Sequence, residues 1–211
     1  MKRIALIVSV FVGSLYMYSQ SPVKSLYDDK KELQGAYYKD LYNDLNRFVG
    51  TWIFVNGNTS LTIVLQKKNM QFSNDGVLGY YEDVLIGEYQ YIENGIEKIN
   101  TLSNLSINHT NYYKYNIAGN IISKPISGVE ENLCYNCGPN EIKVLLSFSD
   151  PERDILGYEP EMIFHHYIEN GVEKLRLNFR TISGPATGLN GEENQFYEYN
   201  IPFGVYILIK Q

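Results

Sequence analysis

Cys134-Tyr-Asn-Cys137 holds the only two cysteines of the sequence. Two thiols with two residues between them have three uses: redox exchange, half of a zinc site, or a bridge to each other. A structural zinc needs four ligands, and no second Cys or His cluster accompanies this pair. His165-His166 resembles a metal pair in composition only. On a strand, adjacent side chains point to opposite faces. His165 then shares a face with Ile163 and Tyr167, and His166 with Phe164 and Met162. One of the two can project into a cavity while the other sits at the surface. His109 falls in an Asn/Ser-rich loop and reads as solvated.

The carboxylates have no catalytic context. Glu159 and Glu161 straddle Pro160, while Glu93, Glu97, Glu169 and Glu173 flank Asn-Gly turns, where solvated charge is expected. No G-x-S-x-G, phosphate loop or H-E-x-x-H is present. No catalytic residue, metal ligand or cofactor is therefore assigned, and an enzyme is the least favoured class.

The net charge of −6 argues against a nucleic-acid partner, which calls for a basic face. Lys2 and Arg3 followed by the apolar run Ile4 to Tyr16 read as a signal peptide, too short to span a bilayer comfortably. Residues 1–19 are the expected signal, with Gln20 as the mature N-terminus. Removing Lys2 and Arg3 leaves 16 basic against 24 acidic residues, a mature charge of −8. No later segment reads as a transmembrane helix. Export to the periplasm, the cell surface or the medium favours a Cys134–Cys137 disulfide over free thiols or a redox or metal role. Such a small loop gains only about 2 kcal/mol from loop entropy before strain. Residues three apart on an extended strand lie about 10 Å apart, too far to bridge, so the disulfide requires a turn at Tyr135-Asn136.

Two kinds of element must position these groups. Leu33, Tyr37, Leu41 and Leu45 recur every four residues, with Phe48 extending the stripe, and predict an amphipathic helix over 28–48. Asp28 or Asp29 caps it, and Gly35 weakens it. From Val49 onward the signals are strands. Tyr occurs 19 times, which suits half-buried strands with a packed ring and a wet hydroxyl.

The strand pattern is written twice. Tyr91-Ile-Glu-Asn-Gly-Ile-Glu-Lys98 returns as Tyr167-Ile-Glu-Asn-Gly-Val-Glu-Lys174. Leu61 to Leu65 matches Ile142 to Leu146, Gly79-Tyr80 matches Gly157-Tyr158, and Tyr112 to Ile117 matches Phe196 to Ile201, all in the same order. The expectation is one β domain over 49–211 made of two repeats, 49–126 and 127–211, behind an N-terminal segment 20–48. Strands are expected at 51–55, 60–66, 83–92, 96–103 and 111–118 plus 120–124 in the first repeat. In the second they fall at 131–136, 141–148, 161–168, 172–180 and 195–200 plus 203–210. Short connections make an all-β antiparallel meander of about ten strands. Closing it into a barrel hides its edges best, and two packed five-stranded sheets are the alternative. Alternation points Leu61, Ile63, Leu65, Ile142, Val144, Leu146, Leu175, Leu177 and Phe179 inward. The last strand, Phe203 to Lys210, is apolar on both faces, so the helix is expected to cover its outside.

Phe48-Val-Gly-Thr-Trp52 resembles the Gly-x-Trp opening of lipocalins. There a short helix precedes the first barrel strand and the Trp plugs the closed end. The resemblance implies a barrel, with Arg180 of Asn178-Phe-Arg180 as the Arg that packs on the Trp. Over its full length, through Gln20-Ser-Pro-Val and Gly50-Thr-Trp52, the chain resembles exported proteins of Bacteroidota that share a domain of unknown function. That resemblance implies export and carries no activity.

Two functions are expected in order. The first is a non-enzymatic binding protein holding a small apolar or amphipathic ligand in the barrel, with the helix as lid or plug. Trp52, Tyr89, Tyr91, His165 and Tyr167 are its candidate ligand residues, though Trp52 also reads as a plain core aromatic. The second is a structural or interaction protein with a filled core and function on its loops. An unfilled cavity inside the barrel separates the two.

Overall fold

The computed structural model describes residues 21–27, 33–74, 76–124, 138, 141–188, 191 and 193–211. Asn and Gly tolerate the left-handed backbone that a two-residue hairpin requires. Asn94-Gly95 has φ of 52° and 80°, and Asn170-Gly171 has 53° and 77°. Each closes a tight hairpin between paired strands. Eleven strands form among the described residues: β1 Val23–Ser25, β2 Tyr37–Lys39, β3 Gly50–Asn56, β4 Thr59–Asn74, β5 Gly79–Glu93, β6 Ile96–Asn100, β7 Ile117–Ser123, β8 Lys143–Phe148, β9 Pro160–Glu169, β10 Val172–Thr181 and β11 Gly204–Lys210.

Eight of them close a ring. β3, β4, β5, β7, β8, β9, β10 and β11 each pair antiparallel with the next, and β11 returns to β3. The result is a closed up-and-down barrel with no free edge in the ring. The three other strands hang on β5. β6 folds back on its last turn, and β2 pairs parallel with its first residues, with β1 beyond.

Several expectations are corrected. A ten-stranded meander becomes an eight-stranded barrel with three added strands, and the pair of five-stranded sheets gives way to one closed sheet. The two Asn-Gly hairpins also differ in role. β10 is a full barrel strand, whereas β6 ends at Asn100 and lies off the ring. Tyr112–Lys114 is a short 3-10 turn instead of the start of a strand. The stretch 195–200 has no strand, and 131–136 lies outside the described residues.

The expected helix over 28–48 is replaced, across the described residues 33–48, by β2 and a five-residue 3-10 turn, Asp44–Phe48. Gly35 at φ 73° and Asn43 at φ 57° break any helix there. The four-residue stripe is consequently split. Leu45 and Phe48 are buried, while Leu41 is 50% exposed. Nothing among the described residues buries the outside of β11, where Val205, Ile207 and Ile209 are exposed.

The inward alternation holds on β4, β8 and β10: Leu61, Ile63, Leu65, Val144, Leu146, Leu175, Leu177 and Phe179 all join one core, as does Ile142 just before β8. Two strands approach so closely at Gly87 that an added Cβ would lie 2.5 Å from Leu65 and 2.9 Å from the Val64 carbonyl. Only glycine fits there.

Candidate functional site

The barrel floor is built from the chain's own N-terminal turn. Asp40 accepts from the Asp44 and Leu45 amides at 2.9 and 3.0 Å and so caps the 3-10 turn. Its carboxylate also takes Lys67 Nζ at 2.8 Å. Asp83 accepts from the Asp40 amide and the Met70 amide, each at 3.0 Å, and from the Tyr37 hydroxyl. Burial, then the Asp83 bond, raises the Tyr37 hydroxyl's pKa well above its ordinary value. This network drives Leu45 and Phe48 into the barrel end. Trp52 lies on top, donating its indole N–H to the Phe48 carbonyl at 2.8 Å. His166 faces the same interior, 6.1 Å from the Trp52 ring and 6.4 Å from Phe48. Glu173 gathers Lys210 at 2.7 Å and His166 at 3.2 Å. The Lys210 bond holds the Glu173 carboxyl below its ordinary pKa. Lys210 Nζ sits 5.4 Å from the Trp52 ring centre, within cation–π range. Arg180, which the lipocalin resemblance would set on Trp52, pairs with Glu161 on the outside instead.

Above the floor, aromatic side chains of the core meet one another. Tyr89 lies 5.2 Å from Phe148, and Phe148 4.6 Å from Phe179, ring centre to ring centre. The Tyr89 hydroxyl donates to the Ser149 carbonyl at 3.2 Å, and burial raises its pKa far above the ordinary value. Tyr199, Phe203 and Tyr158 close the far end by tilted and edge contacts. Burial raises the Tyr199 hydroxyl to about 12.

The five candidate ligand residues are thus divided. Trp52, Tyr89 and Tyr91 are in the barrel core. His165 and Tyr167 lie on the outer face of β9, because Met162 and Phe164 of the opposite parity are in the core. The two outer rings are neighbours, 5.9 Å apart. Burial lowers the pKa of His165, and Glu141 opposes that shift from 3.5 Å. His166, rather than His165, is the inward histidine. Cys134 and Cys137 lie outside the described residues. Among the described residues, no group of three or more His, Cys, Asp or Glu side chains is placed to hold a metal.

A second site was not signalled by the sequence reading. On the outside of β5, Glu82, Val84, Ile86 and Glu88 alternate and are all buried. Val84 and Ile86 pack under Tyr112, Tyr115 and Ala118. The two carboxylates tie down the covering segment. Glu82 takes the Tyr112 hydroxyl and Asn120 Nδ2, each at 2.7 Å. Glu88 takes Asn104 and Asn116 side-chain amides, each at 2.6 Å. His109, expected to be solvated, bonds Asn104 at 2.8 Å and packs on Tyr115. Beside this segment, β4 carries a bulge between Lys68 and Gln71, with Met70 at φ 53°, and continues past the barrel. Phe72, Ser73 and Asn74 of that extension face Thr110, Asn111, Tyr112 and Tyr113 across a pocket of about 360 Å³.

Fold and sites together define an eight-stranded up-and-down barrel with a core of buried side chains among the described residues and a pocket on its outer wall. The chain belongs to the family described as a family of unknown function, DUF6705, whose model matches residues 1–211. No curated protein and no solved structure matches it. No helix of the described residues is long and apolar enough to cross a membrane.

Proposed function

We propose that the chain is an exported, non-enzymatic binding protein that works from its outer surface, with the barrel as a filled scaffold. One observation carries this reading. The inward residues from Trp52 through Leu61, Ile63, Leu65, Tyr89, Phe164, Phe179 and Leu208 are at most 1% exposed and interlock across the barrel. An enclosed ligand of ordinary size needs about 300–1,000 Å³, and the full burial of these side chains supports a filled interior instead. The N-terminal pattern of Lys2, Arg3 and the apolar run to Tyr16 supports export. The absence of a nucleophile-and-base motif in the sequence supports a binding role over catalysis.

The reading tests by native mass spectrometry of the protein isolated from its own exported fraction. The expected mass is that of the chain cut near Gln20, with no copurified apolar molecule. A stoichiometric lipid or other apolar adduct contradicts it.

An apolar ligand inside the barrel is the second reading. The aromatic far end favours it, because Phe203 is 38% exposed and its ring centre lies 4.8 Å from that of core residue Phe179.

A further inference from the structure

The geometry points to a neutral saccharide as the ligand of the pocket between the β4 extension and the 110–113 turn. The inference rests on the outside-acting reading and names its ligand class.

Seven described residues wall the pocket, and none of these seven is charged. A neutral wall offers no counter-charge to a phosphate, carboxylate or ammonium group. Two of the seven are aromatic side chains left open to solvent. Phe72 is 52% exposed and Tyr113 is 61% exposed. Large apolar rings are stable in the open when held from behind, and both are. A Cβ on Gly79 would lie 3.0 Å from two atoms of the Phe72 ring, so the ring lies on the bare backbone of that glycine. Its edge meets Tyr81, with ring centres 5.6 Å apart. Tyr113 is set by the Asn111 side chain, which accepts the Tyr113 amide at 2.9 Å, and by Tyr112, whose ring centre is 4.3 Å away. Tyr112 is itself anchored on buried Glu82. The two rings are therefore presented, rather than loose.

The polar wall is of amides and hydroxyls. Asn111 Oδ1 is used by Tyr113, and Asn74 Oδ1 by the Gly76 amide at 2.7 Å. The Nδ2 donors of both residues have no partner among the described residues, and Thr110 and Ser73 add hydroxyls. A pyranose ring carries C–H groups on its faces and hydroxyls around its rim. Its faces suit the negative faces of Phe72 and Tyr113, and its rim suits neutral amide and hydroxyl partners. An aliphatic ligand would leave those donors unpaired, and an ionic one would find no partner.

The test is a titration of the full mature chain by two-dimensional amide NMR against a panel of soluble oligosaccharides. The panel holds neutral glucans, xylans, mannans and chitin fragments, and anionic uronate and sialylated fragments. The expected result is saturable binding of at least one neutral member, with shifts centred on 72–74 and 110–113. Phe72→Ala and Tyr113→Ala, at exposed positions, should each weaken it by about tenfold. Phe72→Tyr, which keeps a ring on Gly79, should bind within about twofold. Silence from every neutral member up to about 10 mM overturns the assignment. So does preference for the anionic members, or binding that both alanine variants retain. Titration of the same samples with a fluorescent fatty acid separates this failure from failure of the outside-acting reading. If the interior takes up no probe, only the saccharide is lost; uptake of the probe overturns the reading beneath it.

Discussion

Trp52 and Phe48 are locked by a single hydrogen bond, indole N–H to main-chain carbonyl at 2.8 Å, across the floor of the barrel. Both side chains are fully buried. The bond joins the first barrel strand to the turn that plugs the barrel, so losing Trp52 opens a cavity and orphans the Phe48 carbonyl together. Trp52→Ala should cost about 3–5 kcal/mol in urea unfolding. Trp52→Phe keeps most of the volume and should cost less than the alanine variant. Equal losses for the two would show that the hydrogen bond, and not the packing, dominates.

Asp40 is 3% exposed and holds a cap and an ion pair at once. Asp40→Ala leaves the Asp44 and Leu45 amides uncapped and Lys67 facing only Asp83, 4.0 Å away. Breaking such a buried pair from one side costs about 3–5 kcal/mol. Denaturant unfolding should show that loss. A cost under about 1 kcal/mol would mean that the plug stands without the network.

His165 makes stability depend on pH. Burial, assisted by Lys143, Arg176 and His166 and opposed by Glu141, lowers its pKa from the ordinary 6.5. The folded state therefore binds this proton less readily than the unfolded state. Its stability is fully present above about pH 6.5 and is lost as pH falls through the lower, folded value. Urea midpoints at successive pH values should fall over that window, and less steeply in His165→Gln. An identical slope in the variant would assign the dependence to other groups.

Gly95 and Gly171 have matching backbone angles but different standing in the fold. Gly171 joins two barrel strands, while Gly95 leads into β6 outside the ring. Alanine at a positive φ costs about 1 kcal/mol. Gly171→Ala should lower global stability by that amount. Gly95→Ala should instead speed hydrogen exchange in β6 with little change in the global midpoint, because β6 can open by itself. The reverse pattern would place β6 inside the cooperative unit.

Much of the barrel was legible because its signals are local. The 61-63-65 and 175-177-179 alternations and the Asn-Gly turns each declare themselves within a few residues, and the core and hairpins follow them. The segment before Val49 is not legible locally, for the opposite reason. Its four-residue spacing mimics a helix, but Asp40 and Tyr37 find their partner in Asp83, more than 40 positions away. The outer pocket was illegible because it depends on a bulge after Lys68 and on the Glu82–Tyr112 bond across 30 positions. Alternation turns His165 and His166 opposite ways but does not say which faces in. That needs the register of β9 against β10, where His166 pairs with core residue Leu175.

The most direct measurement is a titration of the purified protein with a fluorescent fatty acid, followed by probe emission. A filled barrel predicts no saturable rise at any concentration below probe micelle formation. A saturable rise at one probe per chain, abolished by filling the interior through Leu65→Trp, would contradict the account and return the ligand to the barrel.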